Sequence, residues 1–251
     1  MLFRKIFMST AAVIFILYGT ALSDEYTGYK DKKMSIALKL GTNYNVDSDY
    51  TDFWEPNLSW SKFWPREVSY EYKLFKKIGV ELALGYTTMD GESRNISAMP
   101  AAAGETKDDR AKIDLANIYF SPSAKLYFPV MDSFSVYGGI GPDFYNSRGD
   151  LLYQRTGDST YSTKSNVSKF GYGAHGMIGV EYYFFKNPTK HNLYNWPVSI
   201  ELQYKYTWAT VEKIDKKLID DMNEELGASY PYNDINVGGH LVTLGIRWHL
   251  Y

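Results

Sequence analysis

The stretch VSIELQYKYTWA at residues 198–209 decides the fold. Val198, Ile200, Leu202, Tyr204, Tyr206 and Trp208 fall on one parity, and Ser199, Glu201, Gln203, Lys205, Thr207 and Ala209 on the other. Successive side chains of a strand point to opposite faces, so a strand here has one wholly apolar face and one polar or small face. Seven further segments alternate in the same way. Residues 34–44 set Met34, Ile36, Leu38 and Leu40 against Lys39, and residues 66–74 set Val68, Tyr70, Tyr72 and Leu74 against Ser69, Glu71 and Lys73. Residues 78–88 oppose Ile78, Val80, Leu82, Leu84 and Tyr86 to Glu81, Ala83 and Gly85. Residues 116–128 oppose Ile118, Phe120, Ala124, Leu126 and Phe128 to Asn117, Ser121, Ser123 and Lys125. Pro122 is expected to mark a bulge or strained point in that strand. Residues 134–145 are glycine-rich and less regular. Residues 169–184 set Phe170, Tyr172, Ile178, Val180, Tyr182 and Phe184 against His175 and Glu181. The last segment carries Val242, Leu244, Ile246, Trp248 and Leu250 on one side, with Thr243, Arg247 and His249 on the other.

The connections alternate as well. Those at 75–77, 129–133 and 186–197 are short or modest, while those after the first, third, fifth and seventh segments are long and rich in Asp, Asn, Ser and Gly. Short periplasmic turns alternating with long extracellular loops are the habit of outer-membrane barrels. An even strand number leaves both ends in the periplasm, so the first connection is expected to be long, as it is.

Composition agrees with a membrane wall. Aromatic residues make up 17% of the 251 residues, with 23 Tyr, yet the mean hydropathy is −0.35. A wall that alternates apolar and polar residues and carries aromatic girdles can be both. The net charge of −2 removes nucleic acid as a partner, because a polyanion needs a basic surface. Without cysteine there is no disulfide, thiolate metal site, cysteine nucleophile or lipidated cysteine. At the N-terminus, Arg4 and Lys5 precede a mostly apolar run over residues 6–22, and Ala21 and Ser23 take the −3 and −1 positions of a cut before Asp24. Residues 1–23 are therefore expected to be a cleaved signal peptide and residues 24–251 the mature domain. No later stretch is long and apolar enough for a spanning helix.

A soluble eight-stranded barrel would keep its apolar face inside. Here the opposite parity carries Lys39, Lys73, Lys125, Lys169, Lys205 and Arg247 together with Glu71, Glu81, Asp143, Glu181 and Glu201. Burying these while showing the aromatic face to water is untenable. Lipid outside and paired charges inside resolves both demands. The expected fold is all-β: an eight-stranded antiparallel transmembrane β-barrel, with short periplasmic turns and long extracellular loops, in a bacterial outer membrane. A barrel of eight strands is just wide enough for side chains to fill, so the near-balanced charges are expected to form a closing network, each with a plain structural role.

Several stretches together resemble the OmpW family of small outer-membrane barrels. They are VSYEYKLF at 68–75 followed by IGVELAL at 78–84, then SPSAKLYF at 121–128 followed by VYGGIGPDFY at 136–145, then GAHGMIGVEY at 173–182 and LGIRW at 244–248. The resemblance covers most of the mature chain. It implies passive binding or transport of small hydrophobic molecules, with outer-membrane lipid and lipopolysaccharide as surroundings and the barrel-assembly machinery as folding partner. Two features depart from it. The lumen is more charged than a greasy conduit, and Tyr251 lies one residue beyond the last outward residue, Leu250. Phe144, Tyr145, Phe170, Tyr172 and Trp208 are the candidates for an extracellular-end rim or sideways exit, or simply for the interfacial girdle. The second reading is a non-transporting structural or adhesive barrel whose polar loops meet outside partners.

No catalytic or metal residues and no cofactor are expected. Neither His175, His191, His240 nor His249 belongs to a His-x-Ser motif, which disfavours a lipid A-modifying barrel enzyme, and no two have metal-ligand spacing. The glycines of GGIG at 138–141 fall within a strand rather than a phosphate loop. Val211, Ile214, Leu218, Met222 and Leu226 recur at helical spacing before Gly227, which predicts an amphipathic helix over residues 211–226 in the last extracellular loop. Lys213, Lys216 and Lys217 lie off its apolar stripe, available to lipopolysaccharide phosphates or to water.

Overall fold

A computed structural model describes residues 33–44, 64–75, 77–94, 110–131, 133–155, 161–184, 198–226 and 234–250. Among the described residues the strands are β1 (Met34–Tyr44), β2 (Trp64–Phe75), β3 (Ile78–Arg94), β4 (Arg110–Met131), β5 (Phe134–Arg155), β6 (Tyr161–Tyr183), β7 (Val198–Val211), β8 (Ile235–Asn236) and β9 (Gly239–Leu250), with one helix, α1 (Lys216–Leu226). From β1 to β7 each strand pairs antiparallel with the next, and β9 pairs with both β7 and β1, which closes the ring. The short β8 continues the β9 edge along β7, so the two form one stave and the barrel has eight. Gly239, at the resumption of that stave, has a φ of 130°, a conformation that a side chain disfavours. Cross-strand partners lead from Ser35 through Glu71 and Glu81 to Ser123, and from Gly141 through His175 and Thr207 to Gly239. That path returns to the far end of β1, as strands tilted to the barrel axis require.

Parity decides the two faces. Leu38, Tyr70, Leu82, Phe120, Ile178, Leu202 and Ile246 are exposed on the outside, whereas Lys39, Glu71, Glu81, Lys125, Glu201 and Arg247 are buried within. Two glycines make room for rings inside the wall. A Cβ at Gly85 would overlap the Tyr119 ring, and one at Gly179 the Tyr137 ring, so each tyrosine lies flat against a bare stretch of neighbouring backbone.

The wall is uneven in height. β4 and β5 have 22 residues each and β6 has 23, against 11 in β1 and 14 in β7. About 9–11 residues suffice to cross the hydrocarbon, so β3 to β6 rise well beyond it. This corrects the expectation of a long loop after the fifth strand: β5 and β6 stay paired up to Arg155 opposite Tyr161. Alternation could not reveal the extension, because above the bilayer the outer face is polar too, with Arg148, Asp150, Lys164 and Asn166. Lys164 and Asp150 form an exposed ion pair of 2.9 Å there.

The helix also differs from expectation. Val211 still belongs to β7, and a turn containing Lys213 at φ 48° leads into α1. α1 folds over the barrel mouth instead of lying among headgroups. Ile214 of the turn and Leu218 and Ile219 of α1 are buried in one cluster with the inward-facing Met89, Leu115, Leu151 and Val167. Lys216 and Lys217 remain exposed. Ile219 was outside the predicted stripe; it is buried because the tall β5–β6 wall flanks the helix.

Candidate functional site

The lumen has two tiers. In the lower one, four cations gather the carboxylates. Lys39 Nζ donates to Glu67 (2.6 Å), Glu81 (3.1 Å) and the Gln203 side-chain oxygen (2.9 Å). Lys125 Nζ donates to Glu81 at 2.6 Å and sits 4.4 Å from the Tyr137 ring centre. Arg247 spreads its guanidinium over Glu71 (2.9 Å), Glu81 (2.9 Å) and Glu201 (2.6 Å). Lys205 pairs with Glu67 at 3.0 Å and covers the Tyr119 ring at 4.3 Å. Tyrosine hydroxyls add to oxygens that the cations already hold, Tyr127 donating to Glu71 Oε2 at 2.6 Å and Tyr119 to Glu67 Oε2 at 2.9 Å. All these groups are almost wholly buried, so each charge depends on its partners for its stability.

The structure thus joins Lys39, Glu71, Glu81, Lys125, Glu201, Lys205 and Arg247 in one cluster, with Glu181 at its margin 3.7 Å from Arg247. Lys73 lies to one side over the Tyr127 ring, 4.9 Å from its centre. Asp143 belongs to a separate group with His175 and Ser121. Lys169 is the exception. It is exposed although Val167 and Ser165, inward residues farther along the same strand, are buried. Sequence reasoning missed Glu67 and Arg66, both buried beside the register shift between Lys39 and Leu40. Glu67 shares the parity of Glu71, a signal that was present. It also missed the inward tyrosines 119, 127, 137 and 183, since aromatic residues were assigned to the lipid face.

The upper tier combines an apolar cluster with the buried polar side chains of Thr87, Asn117, Ser147 and Ser165. Met89, Leu115, Leu151, Val167, Ala209, Val211 and Leu241 line it, and Ile214, Leu218 and Ile219 close it from above. A molecule that displaced this closure would meet a chamber lined by both apolar and uncharged polar side chains, with a charged floor beneath.

Beside that floor the wall is broken. β4 and β5 pair at Phe120 with Phe144 and again at Ala124 with Ile140, with no pairs between. This register puts Pro122 opposite Pro142. Neither has an N–H, so the two bonds that would join them are missing and the flanking pairs lose their frame. The expected irregularity at Pro122 is therefore a seam shared by two strands. Phe120 stacks on Phe144, and Phe144 on Phe170, each pair at 6.4 Å between ring centres, forming a rail on the outer face above the seam. Trp208 lies in the seam's own row, through the pairs Pro142 with Ala174 and Ala174 with Trp208, and Tyr172 lies opposite Phe144. Tyr145 does not join these outer aromatics. It is buried in the lumen, 5.6 Å from Tyr119 between ring centres, because it has the opposite parity to Phe144.

A closed ring of eight antiparallel staves, apolar without and charged within, is a transmembrane β-barrel. The chain belongs to the outer membrane protein beta-barrel domain family, whose model matches residues 9–238, and its place is the bacterial outer membrane. No curated protein matches it by sequence. Among solved structures it is similar to OprG of Pseudomonas aeruginosa, at 12% identity and a TM-score of 0.45, covering 86% of this chain and 95% of that one. It is also similar to Ail, the attachment invasion locus protein of Yersinia pestis, at 13% identity and a TM-score of 0.37, covering 86% and 97%. Neisserial surface protein A matches at 16% identity and a TM-score of 0.39, covering 86% and 97%.

Proposed function

We propose that, after removal of a signal peptide at residues 1–23, the domain over residues 24–251 works as an OmpW-like barrel for passive passage of small hydrophobic molecules. The observation that carries this reading is the two-tier lumen: a chamber with an apolar cluster and no lysine, arginine or glutamate among its described buried lining, over a closed ionic floor, with a seam in the wall at the level of the floor. A molecule that enters under α1 cannot continue downward, since that would mean crossing buried, paired charges. The path of lower cost runs sideways at Pro122 and Pro142 into the hydrocarbon, between Phe120, Phe144 and Trp208. Lipopolysaccharide surrounds the outer end in this reading, and the barrel-assembly machinery inserts the chain. Reconstitution into planar bilayers and vesicles tests it. Uptake of an apolar fluorophore into the vesicle membrane should be faster than in protein-free vesicles, with little steady ion conductance. A large, stable, ion-selective conductance would show an open aqueous pore and end the sideways reading. The tall β3–β6 wall leaves room for an adhesive role, but nothing on its surface favours a particular partner.

A further inference from the structure

Ser123, His175 and Asp143 come from three neighbouring strands, β4, β6 and β5, and meet inside the lumen. Ser123 Oγ lies 2.9 Å from His175 Nε2. On the other side of the ring, His175 Nδ1 faces Asp143 Oδ2 at 3.0 Å. Neither Nδ1 nor Oδ2 has a hydrogen-bond partner among the described residues, so the two are in contact without an aligned bond, and Asp143 Oδ1 accepts from Ser121. A small rotation of the imidazole would turn Nδ1–H onto the carboxylate, which leaves Nε2 to take the serine proton. This is the order of a nucleophile, a base and an orienting acid. The lumen's other serine–histidine contact lacks that order, for His249 turns the same Nε2 to Ser199 (2.8 Å) and Glu181 (3.1 Å).

The position of the group is as informative as its geometry. Ser123 follows Pro122, and Asp143 follows Pro142, so the group lies directly inside the seam. Lys205 brings a positive charge to the same place, with its Nζ 3.4 Å from Ser121 Oγ. A small space with room for about one water molecule lies on the far side of Thr207, the cross-strand partner of His175; Tyr145, Lys205 and Thr207 line it, and Ser123, His175 and Asp143 do not.

We propose that Ser123, His175 and Asp143 form an esterase site for uncharged carboxylic esters that reach the seam. The substrate class follows from depth. On β4 the outward residues run Ile118, Phe120, Pro122, Ala124, Leu126 and Phe128, so Pro122 sits within the apolar band. A phospholipid holds its ester bonds at headgroup level, whereas a small fatty ester dissolves to this depth. Ser123 Oγ bonds to the ester carbonyl carbon as His175 Nε2 takes its proton, and Lys205 stabilises the resulting oxyanion. The adduct collapses, the bond between acyl carbon and alkoxy oxygen breaks, and the alcohol leaves with the proton from His175. Water then attacks the acyl-serine through the same base, which releases the carboxylic acid and restores Ser123.

The test uses the full-length protein in phospholipid vesicles with an alkyl fluorophosphonate, which forms a stable adduct only with an activated serine. Peptide mass spectrometry should place the adduct on Ser123, and p-nitrophenyl octanoate should be hydrolysed with turnover. His175→Gln should slow labelling by at least about 100-fold. Asp143→Asn serves the same purpose if His175→Gln fails to show heat-modifiable gel migration. No adduct at Ser123, an adduct at Ser121 instead, or equal labelling in a folded base variant would each overturn the assignment. The passage reading is scored separately: a protein that takes up the apolar fluorophore but gives no Ser123 adduct loses the esterase and keeps the passage.

Discussion

Replacing Pro122 and Pro142 together by alanine returns two N–H donors to the middle of the β4–β5 ladder. Each would face the carbonyl of the opposite residue, a group that now has no strand partner at a depth where water is scarce. Leaving a buried acceptor unsatisfied costs about 1–3 kcal/mol, so satisfying two recovers about 2–6 kcal/mol by the same principle. Losing two prolines loosens the unfolded chain and offsets about 1–2 kcal/mol of this. The double variant should therefore be more stable than the parent by about 2–3 kcal/mol, the middle of a range of about 0–5 kcal/mol, read from urea unfolding in vesicles. Amide hydrogen exchange at Ala124, Gly141 and Asp143 should slow as the seam closes. Uptake of the apolar fluorophore should fall, because the sideways path is shut while chamber and floor are untouched. Unchanged stability and exchange would refute the seam. A stabilised variant with full uptake would refute its role in passage.

Arg247→Met should destabilise the barrel by about 3–5 kcal/mol, since it leaves Glu71, Glu81 and Glu201 buried without the guanidinium that joins them; denaturant titration followed by tryptophan fluorescence measures it. Leu202→Arg puts a charge on the lipid face of β7 and should cost about 2–4 kcal/mol near the midplane, seen as impaired heat-modifiable migration. Leu218→Asp should lift α1 from the chamber. A cysteine at Leu115 should then react with an extracellular thiol reagent faster than in the parent background, and equal rates would show that α1 does not close the mouth.

Much of this was legible in the chain alone. Period-two alternation reports which way each side chain points, and Val198 to Ala209 does so without ambiguity, because lipid tolerates no charge and a filled lumen needs partners. Eight segments and the inward direction of charges such as Lys39, Glu81 and Arg247 follow from parity; which of the inward charges meet in one cluster, through Glu67, does not. The upper ends of β4 to β6 were hidden, since above the bilayer both faces are polar and the alternation fades while the backbone ladder continues. Lys169 shows the limit of parity, which gives a side chain's direction along the strand but not its enclosure: Val167 and Ser165, of the same parity, are buried while Lys169 is exposed. Tyr145 shows the converse, an aromatic residue whose parity outweighs its type.

The amino-acid sequence by itself determined the inside and outside of the wall, because solvent preference acts residue by residue along a strand. Register belongs to the tertiary structure. Pro122 and Pro142 are twenty positions apart and harmless singly, and only antiparallel pairing with this offset sets one opposite the other and opens the ladder. The same offset carries Ser123 to His175 and Asp143, and the folding of α1 over the mouth depends on walls of unequal height. Each of these is a relation between strands, which no local pattern encodes.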